Sequence, residues 1–115
     1  MSHRIVPPTG LDALVRQAER DGQVVHVVDG GRDKASTLAA FARALDLPAW
    51  FGHNLDALAD ALRDLADDEG RPILVLWDHP ERLRHHDPAA HRAVLSVLDD
   101  AESDRDDLTV SLVDR

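Results

Sequence analysis

A chain of 115 residues with 22 acidic against 13 basic side chains, and so a net charge of −9, reads as one small acidic domain. The absence of cysteine excludes a disulfide framework, a thiolate nucleophile and a Cys-ligated metal. The negative charge argues against direct binding to nucleic-acid phosphate, which needs clustered Lys and Arg. No apolar run approaches the roughly 18 residues of a membrane span, and the N-terminus lacks a basic-then-apolar signal pattern. A cytoplasmic protein without a membrane partner is expected.

In chain order, residues 1–10 read as irregular, punctuated by Pro7-Pro8 and Gly10. Leu11, Leu14, Val15 and Ala18 share one helical face, which Asp21-Gly22 ends. Gln23–Val28 is β-branched and apolar and reads as a buried strand, and Asp29-Gly30-Gly31 turns the chain. Ser36 is the expected N-cap of a helix carrying Leu38, Phe41, Ala42 and Leu45, closing before Pro48. Asn54 caps the next helix, whose stripe is Leu55, Leu58, Leu62 and Leu65 and which runs out in residues 67–70. Ile73–Trp77 is a second buried strand, and residues 79–86 are a short helix or turn. Asp87-Pro88 opens a helix bearing Val94, Leu95, Leu98 and Ala101. Leu108–Val113 is the last strand. Strands apolar on both faces and separated by helices predict an α/β fold with a small parallel sheet under helical cover.

The charge is uneven. Residues 1–50 are neutral overall, so residues 51–115 carry the whole −9. A basic partner accounts for this, and so does an ordinary solvated acidic surface in an Asp- and Arg-rich chain. Of the seven histidines, His85, His86 and His91 lie close in sequence, but their spacing is no familiar metal-ligand pattern, and solvated histidines are the favoured reading. His26 reads as a packed or edge histidine rather than a base. Gly30-Gly31 after a strand also suits a phosphate loop, although two glycines in a turn are common. No P-loop, dinucleotide motif or nucleophile elbow is present, and no local motif pairs a Ser with a His.

The informative segment is residues 50–62. Asp56 and Asp60 stand four apart on one helical face, away from the leucines. Like charges at that spacing cost a helix roughly 0.2–0.5 kcal/mol. The helix dipole offsets this for Asp56 in the first turn but not for Asp60, which Arg63 can partly neutralise.

The run Leu47-Pro48-x-Trp50-Phe51-Gly52-x-Asn54-Leu55-Asp56-Ala57-Leu58-x-Asp60-Ala61-Leu62 resembles the signature of barstar-like ribonuclease inhibitors. Pro72–Trp77, Ala93–Leu98 and Asp107–Val110 are similar to that family's central strand, last helix and last strand. The resemblance covers residues 23–114. It implies an inhibitor domain over residues 23–115, with residues 1–22 as an N-terminal extension holding one short helix. It further implies a three-stranded parallel sheet, no catalysis, no cofactor and no metal. The implied partner is a basic secreted ribonuclease or toxin nuclease domain, bound one to one, with this chain as the immunity protein in its active site.

Carried over by position, Asp56 and Asp60 match the two carboxylates of the binding helix, Asp60 standing where the substrate phosphate sits. Trp50 matches an aromatic packed on the enzyme's catalytic histidine, and Asn54 the helix cap beside the partner. Asp100 matches an acidic position, normally Glu, that meets a basic group. Three positions depart from the family: Ala59 replaces a Trp at the interface border, Arg63 a Thr and Asp64 a Gly. These leave the partner's identity open and keep two alternatives in view. One is a non-inhibitory interaction module on the same fold. The other, which rests on the His and Asp groups rather than on these departures, is a small metal- or phosphate-dependent enzyme. For an inhibitor, loss of binding is expected to be largest at Asp60, next at Asp56 and Trp50, and least at acids such as Asp67.

Overall fold

The computed structural model describes residues 4–6, 10–29, 31–47, 54–67 and 69–113. Its elements in chain order are β1 (Arg4–Val6), α1 (Leu11–Arg20), β2 (Val24–Asp29), α2 (Lys34–Ala44), α3 (Leu55–Asp64), β3 (Ile73–Asp78), α4 (Pro80–His86), α5 (Pro88–Asp104) and β4 (Leu108–Val113). The α/β class is as expected, and so are the three parallel strands β2, β3 and β4. Two expectations are corrected together. Arg4–Val6 is a strand rather than irregular chain, and the sheet therefore has four strands, in the order β1-β4-β3-β2, all parallel. Three residues before a Pro-Pro pair are too short to show a period. Pairing with the outer edge of β4 is what makes them a strand.

The order of the strands decides where the helices lie. From β2 through β3 to β4 the chain steps across the sheet in one direction, and from β1 to β2 it steps the other way. Right-handed crossovers then place α1 on one face and α2 to α5 on the other. The alternation of β3 shows both faces. Ile73, Val75 and Trp77 join Leu38, Phe41, Leu58, Leu62, Leu83, Val94 and Leu98 in the larger core. Leu74 and Leu76 turn to the second face, under Ala18, Leu11 and Val15 of α1. All six residues of β3 are buried, as a central parallel strand requires. Trp77 lies edge-on to Phe41, with ring centroids 5.5 Å apart. Among the described residues no helix is long and apolar enough to cross a membrane.

The helix ends follow local chemistry. Gly22, at φ 85°, closes α1 as a Schellman motif, with its N–H donating to the Glu19 carbonyl and that of Gln23 to the Ala18 carbonyl. The N-cap of α2 is Asp33, three residues before the expected Ser36. Ser36 is its capping-box partner: the Asp33 carboxylate accepts from the Ser36 N–H at 2.8 Å, and the Ser36 hydroxyl accepts from the Asp33 N–H at 3.1 Å. These bonds hold the Asp33 carboxyl below its ordinary range. Helix α3 stops at Asp64, earlier than expected, because Leu65 is already extended at ψ 126°.

Asp67 then organises the turn into β3. Its carboxylate accepts from the Arg71 guanidinium at 2.9 Å and from the N–H groups of Glu69 and Arg71. The Arg71 side chain is the main cause of a pKa lowered from 3.8 to about 2. A depressed carboxylate contributes stability that is fully present above its unfolded value and is lost as the pH falls through its folded one. Asp67→Asn is therefore expected to lower the thermal midpoint near neutrality. The gap to the parent should close between pH 4 and pH 2, as followed by circular dichroism melts. A gap that is independent of pH would refute the assignment.

Candidate functional site: an acidic helix and a groove beside it

The site is built on α3. Asn54, in an extended conformation, accepts the Ala57 N–H on its side-chain oxygen at 2.7 Å, as expected of the cap. Leu58 and Leu62 are fully buried in the larger core, which fixes the rotation of the helix. With the leucines inward, the exposed positions include Asp56, Asp60, Arg63 and Asp64. Asp56 lies in the first turn, where the dipole favours an anion.

Arg63 meets Asp60, with Nη1 donating to Oδ1 at 3.1 Å. Both side chains are about two-thirds exposed, at 67% and 68%. Such a pair is worth at most about 1 kcal/mol and weakens with salt. The pairing occupies one oxygen of Asp60 without removing it from the surface.

Helix α5 packs beside α3. Its N-cap is Asp87, whose carboxylate accepts the Ala90 N–H at 3.1 Å, with Pro88 following as the first helical residue. Val94, Leu98 and Ala101 face the core, so Asp100 is turned to solvent. Between the two helices lies a groove of about 280 Å³. Ala59 and Arg63 line it from α3, Val97, Asp100, Ala101 and Asp104 from α5, together with Arg105 just after α5. The methyl group of Ala59 leaves this space open.

Arg105 is held in place by three acceptors. Its guanidinium donates twice to Asp107, at 2.8 and 2.7 Å, and once to the Leu62 carbonyl at 2.8 Å. It thereby ties the last turn of α3 to the segment before β4, and it draws the Asp107 carboxyl below its ordinary range. Arg63 and Arg105 are thus each engaged by a carboxylate. No ion pair neutralises Asp100 or Asp104 among the described residues.

The candidate residues do not all converge. Ala59, Arg63 and Asp100 share the groove, Asp60 reaches its rim through Arg63, and Asn54, Asp56 and Asp64 lie along α3 outside its lining. Trp50 lies outside the described residues, as do Phe51, Gly52 and His53. Asp104, Val97 and Arg105 were missed in the sequence. Asp104 had a legible signal, four residues after Asp100 on the same helix. Arg105 had none, because its partner Leu62 is 43 residues away.

The histidines are dispersed. The Nδ1 of His26 lies 3.0 Å from the Ala44 carbonyl oxygen, which can only accept, so the imidazole donates there. His91 is buried and lies against Trp77, with ring centroids 5.7 Å apart. His85 and His86 are on the exposed side of α4. Among the described residues no three His, Asp or Glu side chains are grouped to hold a metal ion.

None of the curated proteins compared matches this chain. A family model described as Barstar (barnase inhibitor) matches residues 22–113, well over half of the chain. Members of that family are inhibitors that bind a ribonuclease rather than enzymes. With the parallel α/β fold and the Asn54-capped acidic helix already described, that match places the chain in the barstar family.

Proposed function

We propose that this protein is the cytoplasmic inhibitor, or immunity protein, of a basic secreted ribonuclease or toxin nuclease domain, and that it acts without catalysis by filling the enzyme's active site in a one-to-one complex. The observation that carries this reading is the rotation of α3. Buried Leu58 and Leu62 turn Asp56 and Asp60 outward, next to the Ala59–Arg63 flank that lines a groove edged by Asp100 and Asp104. An array of carboxylates on rigid helices steers a basic partner and competes with substrate phosphate for the same cations. Asp60 is the central contact. The other proposed contacts are Asn54, Asp56, Ala59, Arg63 and Asp64 of the same segment, Asp100 of α5, and Trp50. In this reading residues 23–115 carry the inhibitor and residues 1–22 are an extension, of which α1 covers the second face of the sheet and Arg4–Val6 pairs with β4.

The test is a stoichiometric titration of RNA cleavage by a panel of secreted guanyl-specific ribonucleases and toxin nuclease domains, at low and high salt. Loss of activity at one equivalent, weakened by salt, is the expected result. Absence of inhibition by folded protein, together with capture of a partner that is not a nuclease, would instead favour a non-inhibitory interaction module. The open groove at Ala59 and the Arg63–Asp60 pair are the features that favour this second reading.

The groove supplies its own test. Ala59→Trp fills it with an indole at a half-buried surface position. The melting temperature is expected to stay close to that of the parent. The inhibition constant against the cognate nuclease is expected to rise about tenfold, the loss of about 1.4 kcal/mol. An unchanged constant would place position 59 outside the interface.

A further inference from the structure

Away from the acidic helices, Arg32, Arg82, His85 and His86 line an open cleft of about 780 Å³. We propose that this cleft binds a small anion carrying two or more phosphate groups, held by the guanidinium groups of Arg32 and Arg82 and the ring N–H groups of His85 and His86.

Three observations lead there. First, the four side chains come from two separate segments, the loop after β2 and helix α4, both at the carboxyl end of adjacent parallel strands. Second, the cluster contradicts the overall charge. In a chain of net charge −9, no acidic side chain among the described residues lines this cleft, and neither Arg32 nor Arg82 is in an ion pair among them. The nearby Asp33 carboxylate is committed to the first turn of α2, where the Ser36 N–H and hydroxyl both donate to it. It also lies close enough to His86 to feel its charge.

Third, the loop bearing Arg32 is held by backbone geometry. A Cβ at Gly31 would stand 2.4 Å from the backbone of Ser36 and Thr37, so only glycine lets the loop lie on α2. The Arg32 N–H is bound to the Ser36 hydroxyl at 2.9 Å. These bonds fix the backbone from which Arg32 extends. Two guanidinium groups supply paired donors that suit phosphate oxygens, and they stay charged at any physiological pH.

The charge around the cleft selects the size of the ligand. A polymer such as RNA would carry its next phosphates beyond the two guanidinium groups and two imidazoles of the cleft and onto the surface of an acidic protein, which repels them. A compact di- or triphosphate confines its charge to the cleft. The cleft is built from other elements than α3 and α5, so this proposal stands or falls apart from the inhibitory one.

The test is a titration of the 15N-labelled full chain with sodium pyrophosphate, and separately with a short uridine oligonucleotide, at constant ionic strength. Saturable amide shifts confined to α4 and residues 31–34 are expected with pyrophosphate, with α3 unmoved. Arg32→Gln with Arg82→Gln is expected to weaken binding at least tenfold. Both side chains are exposed, and the dispersion of the amide spectrum reports whether the fold is kept. If the double variant unfolds, each single variant is expected to weaken binding at least threefold. Three results would overturn the proposal: shifts that stay linear to millimolar pyrophosphate, variants that bind like the parent, or an oligonucleotide that binds more tightly than pyrophosphate.

Discussion

Asp60→Ala is expected to weaken the complex with the cognate nuclease more than any other substitution on the surface of α3. In the free protein its carboxylate is exposed and paired only with Arg63, so the substitution changes stability by a few tenths of a kcal/mol. In the proposed complex the same carboxylate would be desolvated against the enzyme's cations. Removing one side of a buried charge pair leaves the other uncompensated, at about 3–5 kcal/mol. That corresponds to roughly two to three and a half orders of magnitude in Kd. The effect is compounded here, because Asp60→Ala also frees Arg63 to face a basic active site.

The double variant Asp60→Ala with Arg63→Ala is therefore expected to bind more tightly than Asp60→Ala alone, most clearly at low salt, where repulsion is least screened. Inhibition titrations of the four proteins in that cycle measure both quantities. A suitable control is Glu19→Ala, on the exposed side of α1 across the sheet, expected to leave inhibition unchanged. Asp67→Ala is a poor control, because Asp67 holds the turn before β3. A loss at Asp60 no greater than that at Glu19 would remove α3 from the interface.

Leu58→Ala is expected to have the largest effect on stability within the site. Its side chain is fully buried, in the core cluster that contains Trp77, Phe41 and Leu98. Deleting a buried leucine side chain costs about 2–5 kcal/mol, according to how far the cavity collapses. Against a total stability of about 5–15 kcal/mol, that lies close to the threshold of unfolding. Urea unfolding is expected to show a lower midpoint with an unchanged slope. Inhibition per folded molecule should persist, since the outward carboxylates are retained. A fall of less than 1 kcal/mol would contradict the packing of α3 described above.

These two residues are two positions apart and show why so much of the site was legible. Leu58 and Asp60 sit on opposite sides of one helix, and the leucine spacing alone sets which side is buried. The cap at Asn54, the outward acids and the identity of β2, β3 and β4 all follow from local periodicity or from groups within four residues. Ser36 shows the limit of that reading. Two residues able to cap α2 lie three apart, and only the backbone geometry shows that Asp33 caps and Ser36 answers it.

What the amino-acid sequence determines by itself is the set of helices, the strands β2, β3 and β4, the acidic face of α3 and the family, because each rests on short-range pattern. The tertiary structure decides what depends on partners distant in the chain. Arg4–Val6 becomes a strand only because β4 offers it an open edge more than 100 residues away. Helix α1 covers the second face because the step from β1 to β2 runs against the others, and a right-handed crossover then has one face available. The groove beside Ala59 exists only once α5 is laid against α3, and Arg105 secures that junction through a carbonyl it could reach only after folding. In each case the deciding term is the free energy of contact between segments that no local window contains.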